Sequence, residues 1–181
     1  SGLMAITEGK AYGETFDTAK ADVRLVGDGV RLENIDVVKG AGQGRGAASI
    51  TWKGGYSFNF GGQNIAAEKL TLMEGSTIPF SGVIEFTANG SGSFEKPNYD
   101  VEATIRDVFV ADEGIGTVIS KFNVNGDRLT FTRLDANSAR LSVSGVGTIA
   151  LNDTRDVDLK FIVSQTSLDP YIRAFEPRLS P

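Results

Sequence analysis

The sequence predicts an all-β chain built from consecutive antiparallel strands. Apolar residues recur at every second position along most of the 181 residues, which is the period of a strand with one apolar and one solvated face. Glycine is frequent, with 22 residues against 5 prolines, and turn dipeptides such as Asn125-Gly126 separate the alternating runs. Helix signals are scarce: Asp169-Pro170 predicts one short helix near the C-terminus, ending at Phe175 before Pro177.

Seven alternating runs can be identified in chain order, and each places its apolar residues on one side of a strand. The predicted apolar positions are Tyr56, Phe58 and Phe60; Ile84, Phe86 and Ala88; Tyr99, Val101, Ala103 and Ile105; Phe122 and Val124; Leu129 and Phe131; Leu141, Val143, Gly145, Gly147, Ile149 and Leu151; and Val157, Leu159, Phe161 and Val163. The predicted turns are Lys53-Gly54-Gly55, Asn89-Gly90, Lys96-Pro97-Asn98, Asn125-Gly126-Asp127 and Asn152-Asp153. The segment 108–121 has Gly114 and Gly116 in its middle, so we expect two strands there rather than a helix.

The chain also contains a long-range internal repeat. Val30–Asp36 resembles Leu129–Asp135, and the correspondence continues without a gap, so that Gly46 matches Gly145. A repeat with strand-type alternation predicts stacked β-units that form one continuous apolar surface. We therefore expect residues 1–181 to be a single β-rich unit, with related units around 20–75 and 118–165. Because Ser1-Gly2 does not resemble a native start and no signal peptide opens the chain, we expect it to be a section of a longer protein.

Composition excludes several classes of function. The net charge is −5 and no basic stripe is present, which argues against a nucleic-acid partner. The chain has neither histidine nor cysteine, so the common nucleophile–base pairs and zinc ligands are missing. The remaining candidate carboxylate pairs are Asp112-Glu113 and Asp100 with Glu102, and the latter two are expected on a solvated strand face. Gly40–Gly46 leads into a strand rather than a phosphate-binding helix. We expect no enzyme, no metal and no cofactor.

Part of the sequence resembles a known family. Phe80–Arg106 is similar to a segment of TamB and AsmA-like proteins, in which a glycine-bounded strand, a connector and a new alternating strand follow one another. Gly92 to Pro97 has the shape of that connector. Phe16–Leu25 resembles the strand that introduces such a repeat, and Leu168–Pro181 resembles a link between repeats.

The resemblance implies a fold and a function. The expected fold is an elongated antiparallel sheet curved into an open hydrophobic groove, the β-taco. Family members are anchored in the inner membrane of diderm bacteria, extend through the periplasm, and are linked to intermembrane phospholipid transport and outer-membrane biogenesis. The expected partners are phospholipid acyl chains, adjacent repeats of the same chain and outer-membrane assembly proteins.

A physical argument points the same way, because an open sheet with one apolar face must cover that face. Each acyl methylene buried on it contributes about 0.8 kcal/mol. The residues predicted to line the lipid-binding groove are Phe58, Phe60, Phe86, Tyr99, Val101, Ile105, Phe122, Phe131, Leu141, Val143, Leu159 and Phe161. The alternative is a closed β-sandwich or β-helix that acts as a scaffold or adhesin repeat without a ligand. Gly145 and Gly147 leave room for a ligand but also permit sharp bends, so they do not separate the two.

Overall fold

The computed structural model describes residues 1–11, 13–71 and 77–166, with the backbone alone for Leu141, Gln165 and Thr166. In this part of the chain, eleven antiparallel strands form one sheet whose spatial order follows the chain order. The strands are β1 (Gly2–Ala11), β2 (Glu14–Val26), β3 (Gly29–Lys39), β4 (Gly42–Thr51), β5 (Gly55–Ala66), β6 (Phe80–Ser93), β7 (Asn98–Val110), β8 (Glu113–Asn125), β9 (Arg128–Asn137), β10 (Leu141–Ala150) and β11 (Val157–Thr166). A 3-10 turn at Ala67–Lys69 follows β5. The predicted all-β class is confirmed.

Hairpin pairing follows the predicted turns at most positions. Around Asn125-Gly126, Phe122 lies opposite Phe131 and Val124 opposite Leu129, as the alternation predicts. Gly126 has a φ of +59°, the left-handed conformation that this turn requires. The segment 108–121 divides into two strands, also as predicted. The predicted helix from Asp169 and the connector 168–181 lie outside the described residues.

The predicted turn at Asn89-Gly90 is wrong. Both residues lie inside β6, where Asn89 pairs with Asp100 and Gly90 with Tyr99. A Cβ atom at Gly90 would lie 2.5 Å from the Cβ of Tyr99 and 2.9 Å from the ring of Phe58. The glycine therefore serves close side-chain packing here, and Asn-Gly permits a turn without enforcing one.

Bulges bend the sheet along its odd-numbered strands. Strands β3, β5 and β7 each contain one extra residue relative to a neighbouring strand, so the pairing register shifts by one. The residues at these shifts are Asn34, Asn64 and Asp107, each of which has a φ between 50° and 55°. Asn and Asp adopt this conformation more readily than other side chains do. Each extra residue increases the local twist and bends its strand, so the sheet is curved rather than flat.

The two hairpins of the internal repeat share the same irregularity. In β3–β4 the register slips between the pairs Leu32/Ala48 and Ile35/Gly46. In β9–β10 it slips between Phe131/Gly147 and Leu134/Gly145, at the positions that the sequence repeat makes equivalent. The division into related units at 20–75 and 118–165 stays a prediction.

The sheet is a single layer with very little core. Among the described residues the buried apolar side chains are Ala19, Ala21, Ala67, Val108 and Val124, and only the two valines are large. A two-layer domain buries many large side chains between its layers, and no second sheet is present in the described part of the chain. One face of the sheet is therefore left without a covering layer.

Candidate functional site: the apolar face

Cross-strand register assigns every strand residue to one of the two faces, because directly opposed residues share a face. From β2 to β11 one of these faces, here called the apolar face, is almost entirely hydrophobic. It is formed by Ala19, Ala21, Val23 and Leu25; Val30, Leu32, Ile35 and Val37; Gly44, Gly46, Ala48 and Ile50; Tyr56, Phe58, Phe60, Gly62 and Ile65; Ile84, Phe86, Ala88 and Gly90; Tyr99, Val101, Ala103 and Ile105; Val118, Ser120, Phe122 and Val124; Leu129, Phe131, Leu134 and Ala136; Val143, Gly145, Gly147 and Ile149; and Val157, Leu159, Phe161 and Val163.

The predicted groove residues fall together on this face. Phe58 and Phe60 lie opposite glycine and alanine of β6, Val101 lies opposite Phe122, and Phe122 lies opposite Phe131. The others, Phe86, Tyr99, Ile105, Val143, Leu159 and Phe161, occupy the same face by register. Leu141 lies in β10, and its side chain is outside the described part of the structure.

Sequence reasoning missed the part of the apolar face that β2, β3 and β4 contribute. In β3 the alternation changes phase at the bulge, since Val30 and Leu32 precede it while Ile35 and Val37 follow it on the same face. A strict period of two would place Ile35 on the opposite face from Leu32. Asn34 at the break is the one sequence signal that marks the change of phase.

Aromatic rings form a connected cluster on the apolar face between β5 and β7. The ring centroids of Tyr56 and Phe58 are 6.1 Å apart, and those of Phe58 and Tyr99 are 6.2 Å apart. Phe60 and Phe86 form a further pair at 6.3 Å. These separations are typical of favourable aromatic contacts. The cluster gives the middle of the face a surface made of rings.

Glycines let these rings lie directly on the neighbouring backbone. A Cβ atom at Gly62 would lie 2.3 Å from the ring of Phe86, and one at Gly44 would lie 2.7 Å from that of Phe60. The prediction that Gly145 and Gly147 leave room for a ligand is wrong, because Phe161 and Leu159 already fill that space. The result is a wall of tightly packed apolar side chains rather than a series of separate pockets.

The opposite face of the sheet, here called the charged face, carries the cross-strand ion pairs. Arg106 contacts Glu85 at 2.6 Å and Lys121 contacts Glu102 at 2.8 Å, and further pairs join Arg24 to Glu33 and Arg45 to Asp36. A shallow cleft of about 370 Å³ lies between these pairs and is lined by Glu85, Thr87, Glu102, Thr104, Ile119 and Lys121. Both carboxylates of the cleft have cationic partners, which is the arrangement of a solvated strand face. Asp100 lies on this face too, where it accepts a hydrogen bond from Asn123 at 3.0 Å.

The glycine-rich segment 40–46 forms a turn followed by a strand. Gly40 and Ala41 connect β3 to β4, and the other residues belong to β4. The amide of Gly40 donates a hydrogen bond to Asp17 Oδ2 at 2.7 Å, so a carboxylate of the chain itself occupies the position where a phosphate would have to bind. The segment is structural.

Two tyrosines place hydroxyl groups at one end of the apolar face. The amide of Asn98 donates a hydrogen bond to Tyr56 Oη at 3.0 Å. Burial, and secondarily the neighbouring Tyr56, raises the pKa of the Tyr99 phenol. The neutral phenol is therefore favoured in the folded chain.

This raised pKa predicts a loss of stability in alkali. The pKa of Tyr99 is higher in the folded chain than in the unfolded chain. The contribution of the neutral phenol to the free energy of unfolding is therefore complete below about pH 10 and is lost as pH rises through the folded pKa. We expect Tyr99→Phe to lessen the decline in the free energy of unfolding above pH 10, measured by urea titration at several pH values. Tyr56→Phe removes only the lesser cause of the raised pKa and should therefore lessen the decline by a smaller amount, and an equal change in both variants would contradict the assignment.

No family model, curated protein or solved structure matches this chain. In the described residues, no helix is long and apolar enough to cross a membrane. The same residues contain no cluster of three or more acidic or other ligating side chains that could hold a metal ion. The apolar face is therefore the feature of this structure from which a function must be argued.

Proposed function

We propose that the apolar face binds the acyl chains of phospholipids and lets them move along the sheet. The observation that carries the proposal is a one-layer sheet whose apolar face is continuous over ten strands, with almost no large side chain fully buried. Monomeric proteins rarely expose an apolar surface of this extent without a partner for it. The partner must be apolar and must tolerate a surface that has few polar contacts.

Acyl chains meet both conditions. Strands of 10 to 14 residues span roughly 33–46 Å, whereas the acyl chains of one leaflet span about 15 Å. A chain laid on the face would gain about 0.8 kcal/mol for each buried methylene. Among the residues named above for the apolar face, Ser120 and the tyrosines alone have polar side chains. Lipid can therefore shift position without breaking specific hydrogen bonds.

The setting belongs to the same proposal. The resemblance of Phe80–Arg106 to TamB and AsmA-like proteins favours a section of an inner-membrane-anchored protein in the periplasm of a diderm bacterium. In that setting the section would act in intermembrane phospholipid transport and outer-membrane biogenesis. Adjacent repeats of the same chain and outer-membrane assembly proteins would be its protein partners.

The alternative is a closed scaffold or adhesin repeat in which the apolar face is sealed internally. A sandwich needs a second sheet on that face, and the described residues form one sheet only. The open topology therefore favours the lipid-binding hypothesis over the scaffold.

Photocrosslinking tests the proposal by face. A photoreactive side chain at Val101 lies between Ala88 and Phe122 on the apolar face, whereas one at Glu102 lies between Thr87 and Lys121 on the charged face. We expect phospholipid capture at position 101 and little at position 102, measured by mass spectrometry of the crosslinked protein. Val143 and Ser142 form a second matched pair on β10.

The comparison is internal because adjacent residues share a strand but not a face. Replacing Glu102 removes one exposed ion pair, which changes stability by at most about 1 kcal/mol. Equal lipid capture at positions 101 and 102 would show that the contact with lipid is non-specific. No capture at either would favour the scaffold.

A further inference from the structure

Three exposed apolar residues extend the apolar face past the ends of the strands. Trp52, Phe94 and Leu151 are the first residues after β4, β6 and β10, and their exposed fractions are 64%, 55% and 52%. Each follows a strand-ending residue of the charged face, so each has the parity of the apolar face. Phe94 also contacts Tyr56, with a centroid distance of 5.4 Å. We call these three residues the apolar rim.

The backbone of the rim is held by hydrogen bonds between successive turns. The amide of Trp52 donates to Asp28 O at 2.9 Å, that of Phe94 to Gly54 O at 3.2 Å, and that of Leu151 to Asp127 O at 2.6 Å. The amide of Gly126 donates to Pro97 O at 2.7 Å and completes the series. The exposed side chains therefore project from an ordered edge that joins the turns.

The opposite end of the sheet has a different character. There Lys39 pairs with Glu14 at 2.8 Å, and Asp17 accepts the hydrogen bond from Gly40. Outside the edge strand β11, where Ile162 and Val163 are also exposed, Phe109, 46% exposed, is the only strongly exposed large apolar side chain at that end within the described residues. Apolar exposure is thus concentrated at one of the two ends.

The chemistry of the rim fits a lipid bilayer. Trp52 is followed by Lys53, and Phe94 lies two residues before Lys96, so each apolar ring has a cation nearby in the sequence. This combination suits the boundary between headgroups and acyl chains of a bilayer. Glu95 and Asp153 offset these cations, so binding should not depend on anionic lipid. The rim is also continuous with the apolar face, which provides a path for acyl chains.

We propose that the apolar rim inserts into the interfacial region of a phospholipid bilayer and is the point where lipid passes between bilayer and apolar face. This inference rests on the proposed function, since the bilayer supplies the lipid that the face binds. Insertion is assigned to one end of the sheet, the end at which β4, β6 and β10 terminate.

Trp52 is the only tryptophan of the chain and reports directly on insertion. The intact 181-residue chain is mixed with phosphatidylcholine vesicles whose acyl chains carry bromine, a contact quencher of indole emission. We expect a blue shift and quenching of Trp52 emission that persist at high salt. Leu151→Ser and Phe94→Ser together should weaken partitioning about tenfold, and Leu151→Ser alone, which leaves the Tyr56–Phe94 contact in place, should weaken it by less.

The matched control is Phe109→Ser at the opposite end, which should leave partitioning unchanged. Insertion through the rim is wrong if vesicles leave Trp52 emission unchanged, or if Phe109→Ser weakens partitioning as much as the rim variants. A blue shift that grows with protein concentration without vesicles would also overturn it, because a second copy would then cover the rim. Crosslinking at Val101 with dispersed monomeric lipid separates the two proposals, since capture there without Trp52 insertion retains the proposed function and rejects the rim.

Discussion

Val143→Arg is expected to leave the chain folded while abolishing lipid binding at that part of the apolar face. Val143 lies between Ala136 of β9 and Val163 of β11, and Val163 is about half exposed. An arginine stem can lie along these side chains while its guanidinium group reaches water. In a sealed core the same unpaired charge would cost several kcal/mol, comparable to the stability of a small domain.

The measurements are the midpoint of urea unfolding and the amount of co-purified phospholipid. We expect a loss of less than about 1.5 kcal/mol in the free energy of unfolding, with crosslinking at position 101 reduced because the cation breaks the continuity of the wall. Ser142→Arg, on the charged face, is the matched control and should retain lipid. An unfolded Val143→Arg chain would favour the closed scaffold, and a folded variant with normal lipid content would contradict the site assignment.

The sequence was sufficient to predict the fold class because alternation is a local signal. Tyr99, Val101, Ala103 and Ile105 share a face in β7 as their spacing requires, and the same holds for the runs in β8 and β10. Within an uninterrupted strand, parity alone assigns the face. The groove residues predicted from those runs consequently lie together on the apolar face.

The missed features depend on contacts between strands that are distant in sequence. The bulge at Asn34 changes the phase of β3, and apart from Asn34 itself no local pattern indicates that this strand takes the extra residue. Gly90 looked like a turn residue because its packing partners, Tyr99 and Phe58, come from two other strands. The rim was missed for a similar reason, since Trp52, Phe94 and Leu151 become neighbours of adjacent turns only when the sheet has formed.

The second large effect is expected from substituting a glycine of the apolar face, which should lower the free energy of unfolding. Gly46→Val is expected to destabilise the chain by about 3 kcal/mol, the upper part of the range for overpacking. A Cβ atom at Gly46 would lie 2.2 Å from Asn59 O and 2.8 Å from Phe60 Cα, so β4 and β5 would have to move apart. Gly27→Val is the matched control, because a Cβ atom at Gly27 has no heavy atom within 4 Å, and it should change the free energy of unfolding by about 0.5 kcal/mol or less.

Gly44 allows the cause of this effect to be tested. A Cβ atom there would lie 2.7 Å from the Phe60 ring, whereas the nearest backbone atom that it would approach, Gly61 O, is at 3.7 Å. Shortening the side chain in Phe60→Leu should therefore restore much of the stability lost in Gly44→Ala, but less of that lost in Gly46→Val, where Asn59 O and Phe60 Cα obstruct the side chain in addition to the Phe60 ring. Urea unfolding of the single and double variants measures both coupling energies. Equal rescue at the two positions would show that the rings do not lie on the glycine backbone, and the smooth wall proposed for lipid would lose its structural basis.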